Sequence, residues 1–200
     1  MCDIYNYNFV FSFINNYNAY IYDIGTKTDF TVSNRFLKKI IFFILREISK
    51  NKYLLNINNI LYIKKYNLFK FLFLSKIYKE HIFIKKYNIL NTNNNKFKIY
   101  NYNHFNFKNS VILKMYFPKS IDNYEIIMRN ISVHIAAFNP IFININFKRK
   151  LYKDNNNYFL FKNKILLYQN FLRNLNMKIC NYLYNMSKYI KIIEYKNYIV

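Results

Sequence analysis

Val111-Ile112-Leu113-Lys114-Met115-Tyr116-Phe117-Pro118 is the stretch on which the reading of the C-terminal part of this chain turns. Val111, Leu113, Met115 and Phe117 alternate with Lys114 and Tyr116, the period of two of a strand with one buried face. Pro118 breaks the run. Ser120 then stands where a helix N-cap belongs, with Asp122 and Glu125 in the first turn, where carboxylates favour the helix dipole. Tyr124, Ile127, Met128, Ile131, Ile135 and Phe138 recur on one helical face. Asn139-Pro140 ends that helix, because the residue before a proline is pushed out of the α region.

The pattern continues outward. Ile141, Ile143, Ile145 and Phe147 alternate with Asn144, Asn146 and Lys148, which predicts a second strand. The polar stretch from Lys148 to Asn157 leads to a third, where Phe159, Phe161, Ile165 and Leu167 oppose Lys162 and Lys164. Leu172, Leu175, Ile179, Tyr182, Leu183 and Met186 predict a second helix over Phe171 to Met186. Tyr189 to Tyr195 closes as a strand with Ile190 and Ile192 inward and Lys191 outward. The fold class expected is therefore α+β: a ferredoxin-like βαββαβ domain over residues 111–200, following an α/β N-terminal extension over residues 1–110. Right-handed crossovers put both helices on one face of the sheet. The other face is expected to be open and basic, carrying Lys114, Asn144, Asn146, Lys162, Lys164 and Lys191.

Within the first 110 residues, aromatic-rich alternation over Ile4 to Val10 and Ala19 to Ile24, separated by Asn15-Asn16, predicts two strands, with a turn at the only glycine, near Asp23 to Lys27. Ser33 or Asn34 can cap a helix running to about Lys50, with Phe36, Ile40, Phe43, Ile44 and Glu47 on one side of it as a broad, imperfect stripe. Its cations, Arg35, Lys38, Lys39, Arg46 and Lys50, form either a solvated face or a phosphate-facing one. Strand-like and helix-like signals then alternate over Tyr53 to Lys65, Leu68 to Lys79 and His81 to Tyr87. The polar cluster Asn91 to Asn95 is a candidate boundary, and Asn101 to Asn109 reads as a connection into the organised region.

Charge bounds the function. Of 200 residues, 31 are Lys or Arg and nine are Asp or Glu, a formal net charge of +22. The excess of Phe, Ile, Lys, Asn and Tyr matches an A+T-rich genome, which favours lysine codons without removing carboxylates. A charge of this size opposes compaction by self-repulsion and calls for a polyanion, with nucleic acid preferred over an anionic membrane surface. No run of about 18 apolar residues occurs, so no membrane span is expected. The N-terminus has neither a signal-peptide nor a transit-peptide pattern, and a protein working inside an organelle would then be encoded there.

Catalysis is not expected. The carboxylates are dispersed, Gly25 stands alone where a phosphate-cradling loop needs several glycines, and Cys2, Cys180, His81, His104 and His134 have no metal-ligand spacing. No cofactor, metal or small-molecule substrate is expected. His134 falls near the apolar face of its helix and reads as a satisfied core-edge histidine.

The order of elements in Val111–Tyr195 resembles the protein-ten family of the small ribosomal subunit, a βαββαβ domain with a long basic hairpin between its second and third strands. Asn139-Pro140-Ile141 is similar to the Gly-Pro-Ile that opens that family's second strand. Tyr158 to Lys164 is similar to its third strand, where an aromatic precedes basic residues. Leu-Pro-Thr and Ser-Pro elements of the family have no counterpart here, and the hairpin is shorter. A second resemblance, to protein eleven of the same subunit, is carried by Val133 to Asn139 followed by Ile141 to Asn146.

The first resemblance implies a structural constituent of an organellar small ribosomal subunit, acting in translation in the mitochondrion, or in an apicoplast or other plastid. Its partners would be ribosomal RNA and neighbouring ribosomal proteins. Lys148, Arg149, Lys150 and Lys153 at the hairpin, with Lys162 and Lys164 behind it, are the expected RNA contacts, binding phosphates rather than reading bases. Two alternatives share parts of this picture. One is a sheet-face binder of single-stranded RNA that stacks bases on Tyr116 and Phe142; the other is a peripheral structural subunit of a respiratory-chain complex.

Overall fold

A computed structural model of the chain describes residues 7–50, 76, 79, 82–92, 94, 96–118, 121–144 and 163–200. Among these residues the chain is a mixed α and β protein with antiparallel sheets and four α-helices. The elements are β1 (Tyr7–Asn15), β2 (Asn18–Thr26), α1 (Asp29–Ser33), α2 (Arg35–Lys50), β3 (Ile82–Asn91), β4 (Phe97–Asn103) and β5 (Asn109–Tyr116). They continue with α3 (Tyr124–Phe138), a 3-10 turn (Leu166–Tyr168), β6 (Asn170–Phe171), β7 (Asn174–Lys178), α4 (Ile179–Met186) and β8 (Lys191–Ile199).

The layers follow from which side chains each strand turns inward. β1, β2 and β3 form one antiparallel sheet in that order. On one face Phe9, Phe11, Phe13, Tyr20, Tyr22 and Ile24 are buried under Leu37, Ile41 and Leu45 of α2. These rings form a ladder, with Phe13 stacked on Tyr20 at 5.2 Å and Phe42 of α2 edge-on to Phe13 at 5.4 Å. The opposite face presents Ala19, Ile21 and Leu90 to Ile112 of a second sheet, ordered β4-β5-β8. That second sheet turns Val111, Leu113, Met115 and Ile192 outward, against Ile127, Met128, Ile131 and Ile135 of α3 and Ile179, Tyr182 and Leu183 of α4. The described fold is thus a helix layer, two face-to-face sheets and a second helix layer, with three apolar interfaces that remove water.

Polar residues set the ends of elements. Asn34 caps α2, its Oδ1 accepting from the Phe36 and Leu37 N–H groups at 3.0 and 3.1 Å. Asn16 turns β1 into β2 at φ 54, a left-handed conformation that asparagine tolerates better than most residues. Asn139 ends α3 at φ 44, its N–H donating to the Ile135 carbonyl. Gly25 lies inside β2 rather than in a turn, and β1 joins β2 at Asn16-Tyr17, beside the Asn15-Asn16 separation expected from the sequence. A Cβ on Gly25 would stand 2.2 Å from the Phe83 ring, and close approach explains the glycine.

The C-terminal part differs from the expected βαββαβ unit. β5 pairs antiparallel with β8, as first and last strands of such a unit would. Its other edge, however, is taken by β4, a strand that precedes residue 110 and falls on the supposed Asn-rich connection. The second expected strand is described only to Asn144. There Phe142 forms a parallel bridge with Ile165, and residues 145–162, which carry most of the expected hairpin, lie outside the described residues. The second expected helix is shorter: 170–178 form a small hairpin, and only Ile179–Met186 is helical. Asparagine is a weak helix former, present here at 170, 174 and 176, and the Asn174 side chain competes directly with helical hydrogen bonding, its Oδ1 accepting from the Asn176 N–H at 3.2 Å. Leu172 and Leu175, read as the core face of that helix, are exposed.

The expected open basic face is partly covered. Ser110 and Ile112 are buried beneath the first sheet, which leaves Lys114 half-buried at the end of β5. Glu194 lies opposite Lys114 in the ladder and pairs with Lys196 at 3.1 Å, so this face also carries a carboxylate. Tyr116 packs edge-on to Phe97, and Lys114 Nζ sits 5.1 Å over the Phe97 ring.

Candidate nucleic-acid interface

β1 is an edge strand, and its outward backbone groups need partners. They find them in the turn that joins β4 to β5. The Val10 N–H donates to the Phe107 carbonyl at 2.7 Å. The Ser12 N–H donates to Asn103 Oδ1 at 2.6 Å, and Asn103 Nδ2 donates back to the Ser12 carbonyl at 2.8 Å. The Asn103 amide thereby imitates one rung of a β-ladder. Ser110 Oγ donates to the same Oδ1 at 2.7 Å. Within the turn the Phe107 N–H donates to the His104 carbonyl, and Phe107 takes φ 56. That left-handed geometry is uncommon for a bulky residue and is held by its surroundings.

The pinned turn faces the first turns of α2 across a cleft of about 760 Å³. Phe11 of β1 and Phe42 of α2 line it together with Phe105 and Phe107 of the turn. Its cations are Arg35, Lys38 and Lys39 from α2, and Lys108 from the turn. None of the described lining side chains is acidic. Lys38 is half-buried, with Nζ 5.6 Å from the Phe9 ring centre and 5.2 Å from that of Phe107. Burial, and then the neighbouring Arg35 charge, lower its pKa. Phe105 is 82% exposed, a large apolar ring held out at the mouth of a basic cleft.

Of the expected RNA contacts, only Lys164 is among the described residues, and it does not line the cleft. Lys148, Arg149, Lys150, Lys153 and Lys162 fall outside the described residues, and Lys164 is exposed beside the Phe142 bridge, its carbonyl accepting from the Ile141 and Phe142 N–H groups. The cations of α2 carried a phosphate-facing option in the sequence, whereas Phe105, Phe107 and Lys108 did not register. The available signal was Phe105-Asn106-Phe107-Lys108, two aromatics and a cation in a segment otherwise polar.

His134 is a structural centre. It is fully buried, its Nδ1 accepts from the Leu172 N–H at 3.2 Å, and its Nε2 lies 2.9 Å from Gln169 Oε1. The amide donor at Nδ1 makes Nε2 the protonated nitrogen of a neutral ring. Burial lowers its pKa, outweighing the Gln169 hydrogen bond. Among the described residues no group of three or more His, Cys, Asp or Glu could hold a metal, and no described helix is long and apolar enough to cross a membrane. No protein-family model and no curated protein matches the chain.

Proposed function

We propose that this chain is a structural, RNA-binding constituent of an organellar small ribosomal subunit. The observation that carries the RNA-binding part is the convergence of four cations and exposed aromatic surface on a cleft with no described acidic lining residue, in a chain of net charge +22. Such a surface gains affinity by releasing counterions from phosphates, and its aromatic rings add contacts that every base offers. Assignment to the ribosome, and to translation in a mitochondrion or plastid, rests on the resemblance of Val111–Tyr195 to the protein-ten family. The β5–α3 order and the β5–β8 pairing support that resemblance. The family's ferredoxin-like βαββαβ arrangement enters the proposal in altered form, with β4 beside β5 where the family has its third strand. In this reading Lys148, Arg149, Lys150, Lys153, Lys162 and Lys164 supply a second phosphate-binding surface.

Sedimentation of the tagged full chain from organelle lysate tests the proposal. The expected result is co-migration with small ribosomal subunits and release at high salt. Migration with the inner membrane after ribosomes are dissociated would overturn it in favour of a peripheral respiratory-chain subunit.

A further inference from the structure

We infer that the cleft between α2 and the β4–β5 turn takes an unpaired nucleotide, with the base on the Phe105 and Phe107 rings and the flanking phosphates on Arg35, Lys39 and Lys108. The inference rests on the RNA-binding reading above and narrows it from any polyanion to single-stranded RNA. Three features of the cleft select that occupant. Its volume, about 760 Å³, is in the range of pockets that enclose a small ligand, far more than a phosphate needs. Its rings flank an opening lined by cations, the pairing of apolar surface and positive charge that a base and its phosphates present in reverse. Its uncommitted polar groups are short ones of the kind that meet base edges: the Asn106 amide, and Ser33 Oγ as an acceptor, its proton being given to the Phe30 carbonyl.

A duplex does not fit this description. Paired bases hide their faces in the stack, and the ring of Phe105 could meet only the backbone. The turn is also prepared rather than adaptable. Asn103 and the Phe107 carbonyl tie it to β1, so the backbone that carries Phe105 is fixed before any ligand arrives. Lys38, over the Phe9 and Phe107 rings, supplies charge beneath the base rather than at a phosphate.

The test measures binding of the full chain to a 12-nucleotide single-stranded RNA containing 2-aminopurine, to the same strand with one abasic position, to its duplex, and to anionic phospholipid vesicles. The expected result is quenching of 2-aminopurine emission and preference for the intact single strand over the abasic strand and the duplex. Phe105→Ala should weaken the single-strand complex by about 5- to 160-fold, the range for one stacked base, with an unchanged salt slope. Lys39→Ala with Lys108→Ala should instead flatten the salt slope, by about 0.7 for each phosphate no longer neutralised. Salt-dependent binding with no preference among intact, abasic and duplex RNA would overturn the nucleotide site and leave the RNA-binding reading standing. No salt-dependent binding to any RNA would overturn both, and tighter binding to vesicles than to RNA would replace the occupant with a membrane surface. The abasic comparison uses the unaltered protein and does not depend on how any variant folds.

Discussion

Replacing Asn103 by alanine should loosen the tie between the two sheets. The Asn103 amide accepts from the Ser12 N–H, Ser12 Oγ and Ser110 Oγ, and donates to the Ser12 carbonyl. Ser12 and Ser110 are buried, so water cannot replace these partners. The losses are unequal. The Ser12 carbonyl keeps Asn101 Nδ2 at 3.1 Å, and the Ser12 hydroxyl can turn toward the Tyr102 and Val111 carbonyls. The Ser12 N–H and the Ser110 hydroxyl have no such fallback among the described residues. Two stranded donors at about 1–3 kcal/mol each, partly relieved by local movement, put the cost of Asn103→Ala near 2–4 kcal/mol. That is a large share of the stability of an ordinary domain, about 5–15 kcal/mol. Urea unfolding of the full chain should show a lower midpoint with unchanged slope, and hydrogen exchange at the Ser12 amide should accelerate. Asn106→Ala, in the same turn but exposed, should stay within about 0.5 kcal/mol. A loss below about 0.5 kcal/mol for Asn103→Ala would refute the idea that this amide pins the turn and joins the sheets.

Acid should weaken the fold through His134. Its folded pKa lies below its ordinary value of about 6.5, so its contribution is complete above that pH and is lost as pH falls from there toward the folded pKa. Asp23 acts in the opposite sense: burial raises its pKa against the pull of Lys85 and Lys86, so its protonation on acidification favours the fold. The informative quantity is therefore the stability difference between the wild type and His134→Gln, which should shrink as pH falls below about 6.5; a difference independent of pH would refute the neutral, doubly bonded ring. Gly25→Ala should cost about 1–3 kcal/mol by forcing the Phe83 ring aside, and a smaller loss is expected in a Phe83→Leu background, measured as a coupling energy in a double-mutant cycle. Equal costs in both backgrounds would show that the ring is not what the glycine admits.

Local physics explains which parts of the fold the sequence discloses. α2 was legible as a helix because Asn34 caps it and apolar residues recur along it, but the stripe expected on Phe36, Ile40, Phe43, Ile44 and Glu47 is displaced: Leu37, Ile41 and Leu45 are buried, and Phe36 and Phe43 are exposed. β5 and α3 were legible for the same kind of reason, since Val111 to Phe117 alternate and Ile127 to Ile135 keep helical spacing. What failed was partnership. Alternation marks β5 as a strand but says nothing of whether its neighbour is a later strand or β4. The Asn101 and Asn103 of β4 resemble a linker, yet they belong to a strand and tie β1 down. The second helix failed differently. Leu172 and Leu175 keep helical spacing with Ile179 and Leu183, yet asparagines at 170, 174 and 176 favour a turn, and the helix begins only at Ile179. The candidate cleft joins residues 35–39 to residues 103–108, a proximity created by edge-strand pairing, which leaves no periodic trace in the chain.

The central functional claim is most directly tested by ultraviolet cross-linking of small ribosomal subunits that contain this chain, followed by mass spectrometry of its nucleotide-bearing peptides. Ribonucleotide adducts on Phe105 or Phe107, with further adducts in the peptide spanning residues 148–164, are the predicted result. Subunits in which the chain is present but carries no nucleotide adduct in either segment would contradict it.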